Sequence, residues 1–186
     1  MASLKEKIAY ALGDAAAGGI VWKVMSIAFP LFFTNVFGLS FADAAVLMLV
    51  ARMFDVVTDP LMGTLADRTQ SRFGTYRPWL IFGAVPFGLI FALLLYTPDF
   101  GPVGKRIYAY TLYLLMMAVY TMVNVPYGSL LGVMTDDDNE TNQFSSFRMV
   151  GAYAMGFITL LSFPYLQKMV GGTDAHQYAV IGAVLG

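Results

Sequence analysis

Residues 41–65 read FADAAVLMLVARMFDVVTDPLMGTL, an apolar stretch with three charged side chains near its middle. At about 1.5 Å of rise per residue, the stretch is long enough to cross the roughly 30 Å hydrocarbon core of a membrane as a helix. Ser40 stands directly before it and is a residue type that caps helix N-termini. The stretch therefore predicts a transmembrane helix with an unusual polar face.

The composition of the whole chain also predicts a membrane protein. Of the 186 residues, 58% are hydrophobic and 12% are charged, against about 25% charged in soluble domains. Eleven basic and 12 acidic residues give no positive field for nucleic acid, and high hydrophobicity excludes disorder. Without cysteine, with one histidine and without a P-loop, the sequence supports neither an enzyme nor an ATP-driven pump, and no cofactor is expected.

Five further apolar stretches extend the prediction to an all-α, polytopic bundle of six transmembrane helices in one domain, residues 1–186. The predicted spans are 8–37, 41–65, 78–96, 106–134, 144–166 and 177–186. The last covers only about half of the hydrocarbon core, and a helix that ends there leaves carbonyls unpaired. We therefore expect an incomplete sixth span and a chain that is a fragment; a short protein with a half-inserted last helix is the alternative.

The loop charges predict how the bundle is oriented. Cytoplasmic loops of membrane proteins are enriched in Lys and Arg. Six such residues fall on the side of the N-terminus, namely Lys5, Lys7, Arg68, Arg72, Arg77 and Arg148. Three fall on the other side, namely Lys105, Arg106 and Lys168. We expect a cytoplasmic N-terminus and a location in the cell membrane (inner or plasma membrane), with the lipid bilayer as surroundings.

Charged residues inside a membrane helix are costly and indicate function. On a helix, Asp55 lies about 60° and Asp59 about 20° from Arg52, so the three share one face. Their net charge of minus one would be neutralised by one monovalent cation, which is the balance that a cation-coupled carrier needs. A buried ion-pair network that only fixes helix packing is the alternative.

Oxygen donors on the fourth predicted span could complete a cation site. Thr121 and Asn124 are three residues apart and share a helix face. Hydroxyl, amide and carboxylate oxygens suit a hard cation such as sodium, whereas a proton needs only the carboxylates. Both residues could instead make hydrogen bonds between helices. In the same span, Gly128 and Gly132 form a GxxxG pair, which indicates close helix packing.

The first predicted span carries two further charges, Asp14 and Lys23. Nine residues apart on a regular helix, they are expected on opposite sides. Asp14 lies near the predicted cytoplasmic end and could be solvated. Lys23 lies deeper, so it either reaches the membrane surface with its long side chain or faces a polar cavity, and we favour the cavity.

Four motifs stand in order along the chain: YALGD at 10–14, DVVTDPLMGTLADRTQSRFGTYRPW at 55–79, NVPYGSL at 124–130 and TDDDNETNQFSSFRMVGA at 135–152. Together they resemble the glycoside–pentoside–hexuronide:cation symporters, melibiose-permease-like members of the major facilitator superfamily. The resemblance implies a twelve-helix carrier made of two six-helix halves. This chain would be the N-terminal half, and the C-terminal half of the same carrier would be its partner.

The resemblance assigns roles to single positions. The residues that match the cation site are Asp55, Asp59 and Thr121, with Arg52 close by. Arg148 matches an arginine implicated in sugar binding. Asp67, Arg68 and Arg72 belong to the loop motif of the superfamily and are expected to form a cytoplasmic charge latch. With Lys23 and Asn124 added, the candidate substrate residues are Arg148, Asn124 and Lys23, and no metal beyond the coupling cation is expected.

Three departures from melibiose permease bear on the substrate. Asn124 stands where that protein has an aspartate that contacts sugar and cation, and Gly128 stands where it has a tryptophan. A Lys-Asp pair near Gly18 and Gly19 is missing. These changes argue against an α-galactoside and leave Na⁺ or H⁺ open as the coupling cation. A lipid-like substrate, known in the broader family, is an alternative to a sugar.

The sequence thus predicts cation-coupled sugar symport by alternating access. A cation at the charged face of the second span would make the cavity ready for sugar, and the two halves would then rock about the site. The competing hypothesis is a six-helix membrane scaffold or subunit that transports nothing, in which the ion pairs are structural.

Overall fold

A computed structural model describes residues 3–135 and 137–185, with the backbone alone for Met25. Residues 1, 2, 136 and 186 lie outside this description, and Gly186 is the last residue of the predicted sixth span. The described residues contain helices and no strand. The helices are α1 (Leu4–Val36), α2 (Phe41–Asp67), α3 (Arg77–Leu94), α4 (Pro102–Met134), α5 (Asp138–Val170) and α6 (Asp174–Leu185).

Four of these helices, α1, α3, α4 and α5, are long and apolar enough to cross a membrane. Helix α2 is 27 residues long, but its charged residues keep it out of that set. Many of its large apolar side chains nevertheless point outward: Leu49, Met53 and Val56 are all exposed. An apolar outer surface around a polar interior is the arrangement that a lipid environment favours.

Helix α1 has an irregular middle. It is a regular helix over Leu4–Asp14, and Ser3 caps it in a reciprocal capping box with Glu6. It then continues through π-helical segments at Ala15–Val21, Val24–Ala28 and Phe32–Val36. A π-helix closes its hydrogen bonds from residue i to i+5, so each turn holds more residues than an α-turn. The side chains after Asp14 are therefore rotated relative to a regular helix.

The helix ends follow local chemistry. Ser40 caps α2 as predicted, because its hydroxyl oxygen accepts a hydrogen bond from Asp43 N at 3.0 Å. Pro78 lies in the first turn of α3, where proline costs no hydrogen bond. Helix α5 begins at Asp138, six residues before the start of the predicted span. Its N-cap is Asp137, whose side chain accepts a hydrogen bond from Asn139 N. Hydropathy marks the apolar part of such a helix, whereas its polar first turns continue beyond it.

Helix α1 packs along α5, and α2 packs along α4. At one end of the bundle, a dense aromatic core joins them and closes the interior. Its fully buried rings include Phe29, Phe32, Phe33, Phe37 and Phe91. At the other end, Tyr10 of α1 stacks on Tyr127 of α4 with ring centroids 4.7 Å apart. Between these two ends, the α1–α5 pair and the α2–α4 pair leave cavities that contain the charged residues.

Candidate functional site

The first of these cavities has a volume of about 210 Å³ and lies between α1, α2 and α4. It is lined by Trp22, Arg52, Asp55, Asp59, Tyr120, Thr121, Asn124 and Val125. All four residues predicted to bind the cation therefore line one space. We call it the acidic cavity, because its two carboxylates and one guanidinium carry one net negative charge.

The two carboxylates of the acidic cavity have different partners. Asp59 Oδ1 accepts a hydrogen bond from the Thr121 hydroxyl at 2.9 Å. Asp55 lies 3.7 Å from the guanidinium of Arg52, which is largely exposed and stacks 5.1 Å from the Trp22 ring. Among the described residues, no basic group lies within ion-pair distance of Asp59. The carboxylate held by Thr121 is thus the one whose charge is left unbalanced.

A second, larger cavity of about 450 Å³ lies between α1, α4 and α5. It is lined by Asp14, Gly18, Trp22, Lys23, Tyr120, Asn124, Ser145, Arg148, Met149, Ala152 and Tyr153. All three candidate substrate residues, Lys23, Asn124 and Arg148, are in this lining. We call it the basic cavity, because its two basic side chains outnumber its one carboxylate.

Arg148 is fixed in the wall of the basic cavity by a partner that the sequence did not reveal. Its Nε donates to Asp14 Oδ2 at 3.0 Å, and its guanidinium lies 5.1 Å from the centre of the Tyr127 ring. Asp14 is only 8% exposed, so the solvated position considered above is wrong. The ion pair joins α1 to α5 across 134 residues of sequence.

Lys23 lies in the same cavity as Asp14, so the prediction that they face opposite sides is wrong. The π-helical segment at Ala15–Val21 stands between them and adds residues to each turn. The Lys23 ammonium lies 5.0 Å from the centre of the Tyr153 ring. In the part of the chain that the structure describes, no carboxylate lies within ion-pair distance of it.

The two cavities share a wall made of Trp22, Tyr120 and Asn124. The rings of Trp22 and Tyr120 are stacked, with centroids 5.0 Å apart and an interplanar angle of 25°. Asn124 is the polar member of this wall, and it was the one residue predicted to serve both cation and substrate. The two aromatic residues were missed, although a tryptophan beside Lys23 inside an apolar span is a signal for a polar cavity.

The predicted latch residues lie where α2 ends, at Asp67, and in the loop to α3, at Arg68 and Arg72. Asp67 Oδ1 accepts a hydrogen bond from the Tyr76 hydroxyl at 2.8 Å, and Arg72 stacks 4.7 Å from the Phe73 ring. No ion pair involves Asp67, Arg68 or Arg72 within residues 3–135 and 137–185. The latch remains a prediction, and within this conformation the loop is held by Tyr76 instead.

The hydrogen bond to Asp67 raises the pKa of Tyr76, because an ionised Tyr76 would face the carboxylate and lose its donor. A raised pKa means that the bond is fully present below pH 10, the ordinary tyrosine range, and is lost as pH rises through the higher value. The absorbance of ionised Tyr76 is identified as the part of the tyrosinate signal that is missing in Tyr76→Phe, and we expect its titration midpoint to lie above the ordinary tyrosine range. In Asp67→Asn this midpoint should move to lower pH. An unchanged midpoint would mean that Asp67 does not cause the raised pKa of Tyr76.

The contact between α1 and α5 depends on glycines. A Cβ atom at Gly156 would lie 2.7 Å from Lys23 Cγ, and one at Gly19 would lie 2.8 Å from Met155 Cβ. The predicted GxxxG pair behaves differently. A Cβ at Gly132 would meet no atom within 4 Å, and one at Gly128 would lie at the ordinary contact distance of 3.8 Å from Arg148 Nη1. Neither glycine of the pair therefore marks close packing between helices of the described chain.

Gly156→Ala is therefore expected to displace the Lys23 side chain and to destabilise the α1–α5 contact by about 1–3 kcal/mol, the usual range for overpacking. The measurement is the thermal unfolding of the purified protein in detergent. Gly132→Ala is the matched control, since it adds the same methyl group in open space. Equal unfolding temperatures for the two variants would show that the α1–α5 contact is looser than described.

The donor groups that line the cavities and the volumes of the cavities limit what they could hold. In the described ranges, no group of three or more His, Cys, Asp or Glu side chains is placed to hold a metal ion. The acidic cavity instead combines two carboxylates with hydroxyl and amide oxygens, a set suited to a single hard monovalent cation. The basic cavity is large enough for a small organic ligand.

An apolar helical bundle with polar, ligand-sized cavities between its helices defines the class of integral membrane transporters. The family model described as MFS/sugar transport protein matches residues 9–185. The chain therefore belongs to this family of transporters, which are not enzymes. The all-α transmembrane fold and the resemblance to glycoside–pentoside–hexuronide:cation symporters are confirmed.

Individual relatives agree with the family. The chain is 44% identical to the putative glycoside/cation symporter YagG of Escherichia coli (strain K12) over 185 residues, which are 99% of this chain and 40% of that protein. It is 44% identical to the inner membrane symporter YicJ of the same strain, over 92% of this chain and 37% of that protein. It is 41% identical to the uncharacterized symporter YnaJ of Bacillus subtilis (strain 168), over 94% of this chain and 38% of that protein. The chain thus spans roughly two-fifths of the length of these relatives.

Proposed function

We propose that this chain is the N-terminal half of a secondary active transporter that couples the uptake of a sugar to a monovalent cation, Na⁺ or H⁺. The observation that supports this most directly is the acidic cavity. Its lining includes four oxygen-bearing residues, Asp55, Asp59, Thr121 and Asn124, and it carries one net negative charge. The symporter names of the relatives support the coupling. The C-terminal half of the same carrier completes the site.

The position of the acidic cavity supports a coupling mechanism. The cation binds at Asp55 and Asp59, and it neutralises the only net charge on the inner face of α2. An unbalanced charge opposes burial in a low-dielectric interior, so the empty carrier resists closure around the cavity. With the cation bound, the two halves can rock about the central cavities and expose them to the other side of the membrane.

The basic cavity supports a sugar as the substrate. Arg148, Lys23 and Asn124 offer hydrogen-bond donors for hydroxyl groups, and the Tyr120 and Trp22 rings offer apolar surface for the faces of a sugar ring. The shared wall then brings the two ligands next to each other. The loop charges support a cytoplasmic N-terminus and a carrier in the inner or plasma membrane.

The test is uptake by the full-length carrier that contains this chain, reconstituted in vesicles. A sodium gradient and a proton gradient are imposed separately, and the accumulation of labelled glycosides, pentosides and hexuronides is measured. Accumulation above equilibrium under one gradient is expected, and it should disappear when that gradient is collapsed. Uptake that never exceeds equilibrium under either gradient would refute symport.

A further inference from the structure

A third cavity, of about 340 Å³, lies at the end of the bundle where α2 and α4 end. One side is the segment from α2 to α3, which contributes Phe73, Tyr76 and Arg77. The other side is the last turns of α4, which contribute Leu130, Val133 and Met134. None of these residues lines the acidic or the basic cavity. We call this space the loop cavity, and the cation and the sugar of the proposed function do not account for it.

The lining of the loop cavity is basic at the helix ends and apolar along α4. Arg77 is the first residue of α3, and Met134 is the last residue of α4. Leu130 lies one turn, or about 6 Å, further along α4 towards its middle. Phe73, Val133 and Met134 are 41%, 70% and 41% exposed. A charged rim above exposed apolar side chains, at the point where membrane helices end, matches a phospholipid, whose headgroup lies above its acyl chains.

The positive charge at this rim has no protein partner in the described chain. The segment between the end of α2 and the start of α3 contains three basic residues, Arg68, Arg72 and Arg77. The nearest acidic residue in sequence is Asp67, and its carboxylate accepts a hydrogen bond from the Tyr76 hydroxyl at 2.8 Å. Within residues 3–135 and 137–185, no carboxylate lies within ion-pair distance of any of the three arginines. Three guanidinium groups are therefore left for an external anion.

The choice of arginine indicates which anion. The orientation of a membrane protein is set by lysine and arginine alike, yet this segment has no lysine. A guanidinium can bind a phosphate group through two parallel hydrogen bonds, whereas an ammonium acts as a point charge. Three arginines without a lysine are thus more than orientation requires, and they favour a phosphate ligand.

The segment between the helices is held in a defined shape. The Ser71 hydroxyl accepts a hydrogen bond from Phe73 N at 3.1 Å and donates one to Gly74 O at 2.7 Å. Gly74 has a φ of +93°, which glycine adopts without steric cost. The guanidinium carbon of Arg72 lies 4.7 Å from the centre of the Phe73 ring. The turn therefore presents the ring to the loop cavity and places the charge of Arg72 directly beside it.

We propose that the loop cavity binds an anionic phospholipid of the surrounding membrane. Its phosphate lies at Arg77, and the first carbons of its acyl chains lie against Phe73, Leu130 and Met134. Arg72 adds positive charge beside the site, which favours a headgroup with a net negative charge over a zwitterionic one. The inference requires only that the segment between α2 and α3 lies at a membrane surface, so it is independent of which cation or sugar is transported.

A bound lipid would connect the segment before α3 to the end of α4, because both line the loop cavity. A ligand that binds one arrangement of a protein stabilises that arrangement. The lipid would therefore hold the segment in the position described. It would also compete for Arg72 with the partner of the predicted latch, so that anionic lipid and latch closure would oppose each other.

The test uses the full-length carrier that contains this chain, purified in an uncharged detergent. Dihexanoyl-phosphatidylglycerol is added, and the concentration that gives half of the maximal rise in unfolding temperature is measured. Dihexanoyl-phosphatidylcholine has the same chains without net charge, and glycerophosphoglycerol has the same headgroup without chains. We expect phosphatidylglycerol to act at a concentration at least about tenfold lower than either. Equal action of phosphatidylcholine would overturn the preference for an anion, and equal action of glycerophosphoglycerol would show a site for free anions instead of a lipid.

Variants connect the effect to the loop cavity. Arg77→Gln should raise the half-maximal concentration of phosphatidylglycerol at least about tenfold, and adding Arg72→Gln should raise it about fivefold further. The response to phosphatidylcholine should not change. Arg77→Lys keeps the charge and loses the paired hydrogen bonds, so its loss should be smaller than that of Arg77→Gln.

The matched control is Lys5→Gln/Lys168→Gln, which removes two positive charges from exposed positions outside the loop cavity. Its response to phosphatidylglycerol should equal that of the unchanged carrier. A loss as large as that of Arg72→Gln/Arg77→Gln would show an effect of net charge alone and would overturn the inference. An unchanged response in Arg72→Gln/Arg77→Gln would also overturn it, because the lipid would then bind elsewhere. Transport enters none of these measurements, so either failure would leave the proposed function standing.

Discussion

Replacing Asp59 by asparagine is expected to abolish cation-driven accumulation. At about 4 Å, two unit charges interact by about 4 kcal/mol at an effective dielectric constant of 20, and part of this is offset by the dehydration of the cation. We expect cation affinity to fall by roughly 100-fold, read from the concentration of cation that gives half-maximal uptake. The fold should survive, because an asparagine oxygen can still accept the hydrogen bond from Thr121.

The control for this variant is Asp43→Asn, the same chemical change near the start of the same helix. Asp43 pairs with Arg106 at 3.0 Å, outside both cavities. The capping bond of Ser40 is to the backbone N of residue 43 and is retained. Cation dependence should therefore be unchanged in this variant. Normal cation-stimulated accumulation in Asp59→Asn would instead show that the acidic cavity is structural.

Replacing Arg148 by glutamine is expected to have the second largest effect. Removing one partner of a fully buried ion pair costs about 3–5 kcal/mol because the other charge is left unpaired. Arg148 is 28% exposed, so we expect a smaller loss of about 2 kcal/mol in the free energy of unfolding. Sugar uptake should also fall, since α1 and α5 both line the basic cavity.

A double-mutant cycle separates the ion pair from other effects of Arg148. In Asp14→Asn/Arg148→Gln no charge is left unpaired, so this protein should be more stable than Arg148→Gln alone. Arg106→Gln breaks an ion pair whose arginine is 57% exposed, and it should cost less than about 1 kcal/mol. The wild type, Asp14→Asn, Arg148→Gln, the double variant and Arg106→Gln are compared by thermal unfolding in the same detergent. Additive effects of the two cavity substitutions would mean that Asp14 and Arg148 are not coupled.

The sequence predicted those parts of the site that lie on a single regular helix. Arg52, Asp55 and Asp59 share a face because their spacing on an α-helix sets the angles between them. Thr121 and Asn124 were placed in the same way on a second helix. Joining the two helices at one site was a hypothesis from donor chemistry that the family resemblance supported, because helix spacing contains no information on which faces meet.

The basic cavity was only partly predicted, and the reason is physical. The sequence predicts a cavity around Lys23, but the angle to Asp14 that follows from their spacing holds only for a regular helix, and the π-helical turns of α1 change that angle. The ion pair between Asp14 and Arg148 joins residues 134 positions apart. Helix spacing relates residues on the same helix only, so it cannot predict this pair. The role of Gly156 depends on the Lys23 stem beside it, and a single glycine in an apolar span does not reveal such a neighbour.

The wall between the cavities also provides this chain with an optical reporter. The chain has two tryptophans: Trp22 stands in the wall, and Trp79 donates from its indole nitrogen to Thr69 at 3.1 Å in the region of the loop after α2. Indole emission responds to nearby charge and water, so filling either cavity should alter the fluorescence of Trp22 and leave that of Trp79 unchanged. With Trp79 replaced by phenylalanine, the order in which cation and sugar arrive becomes visible in real time.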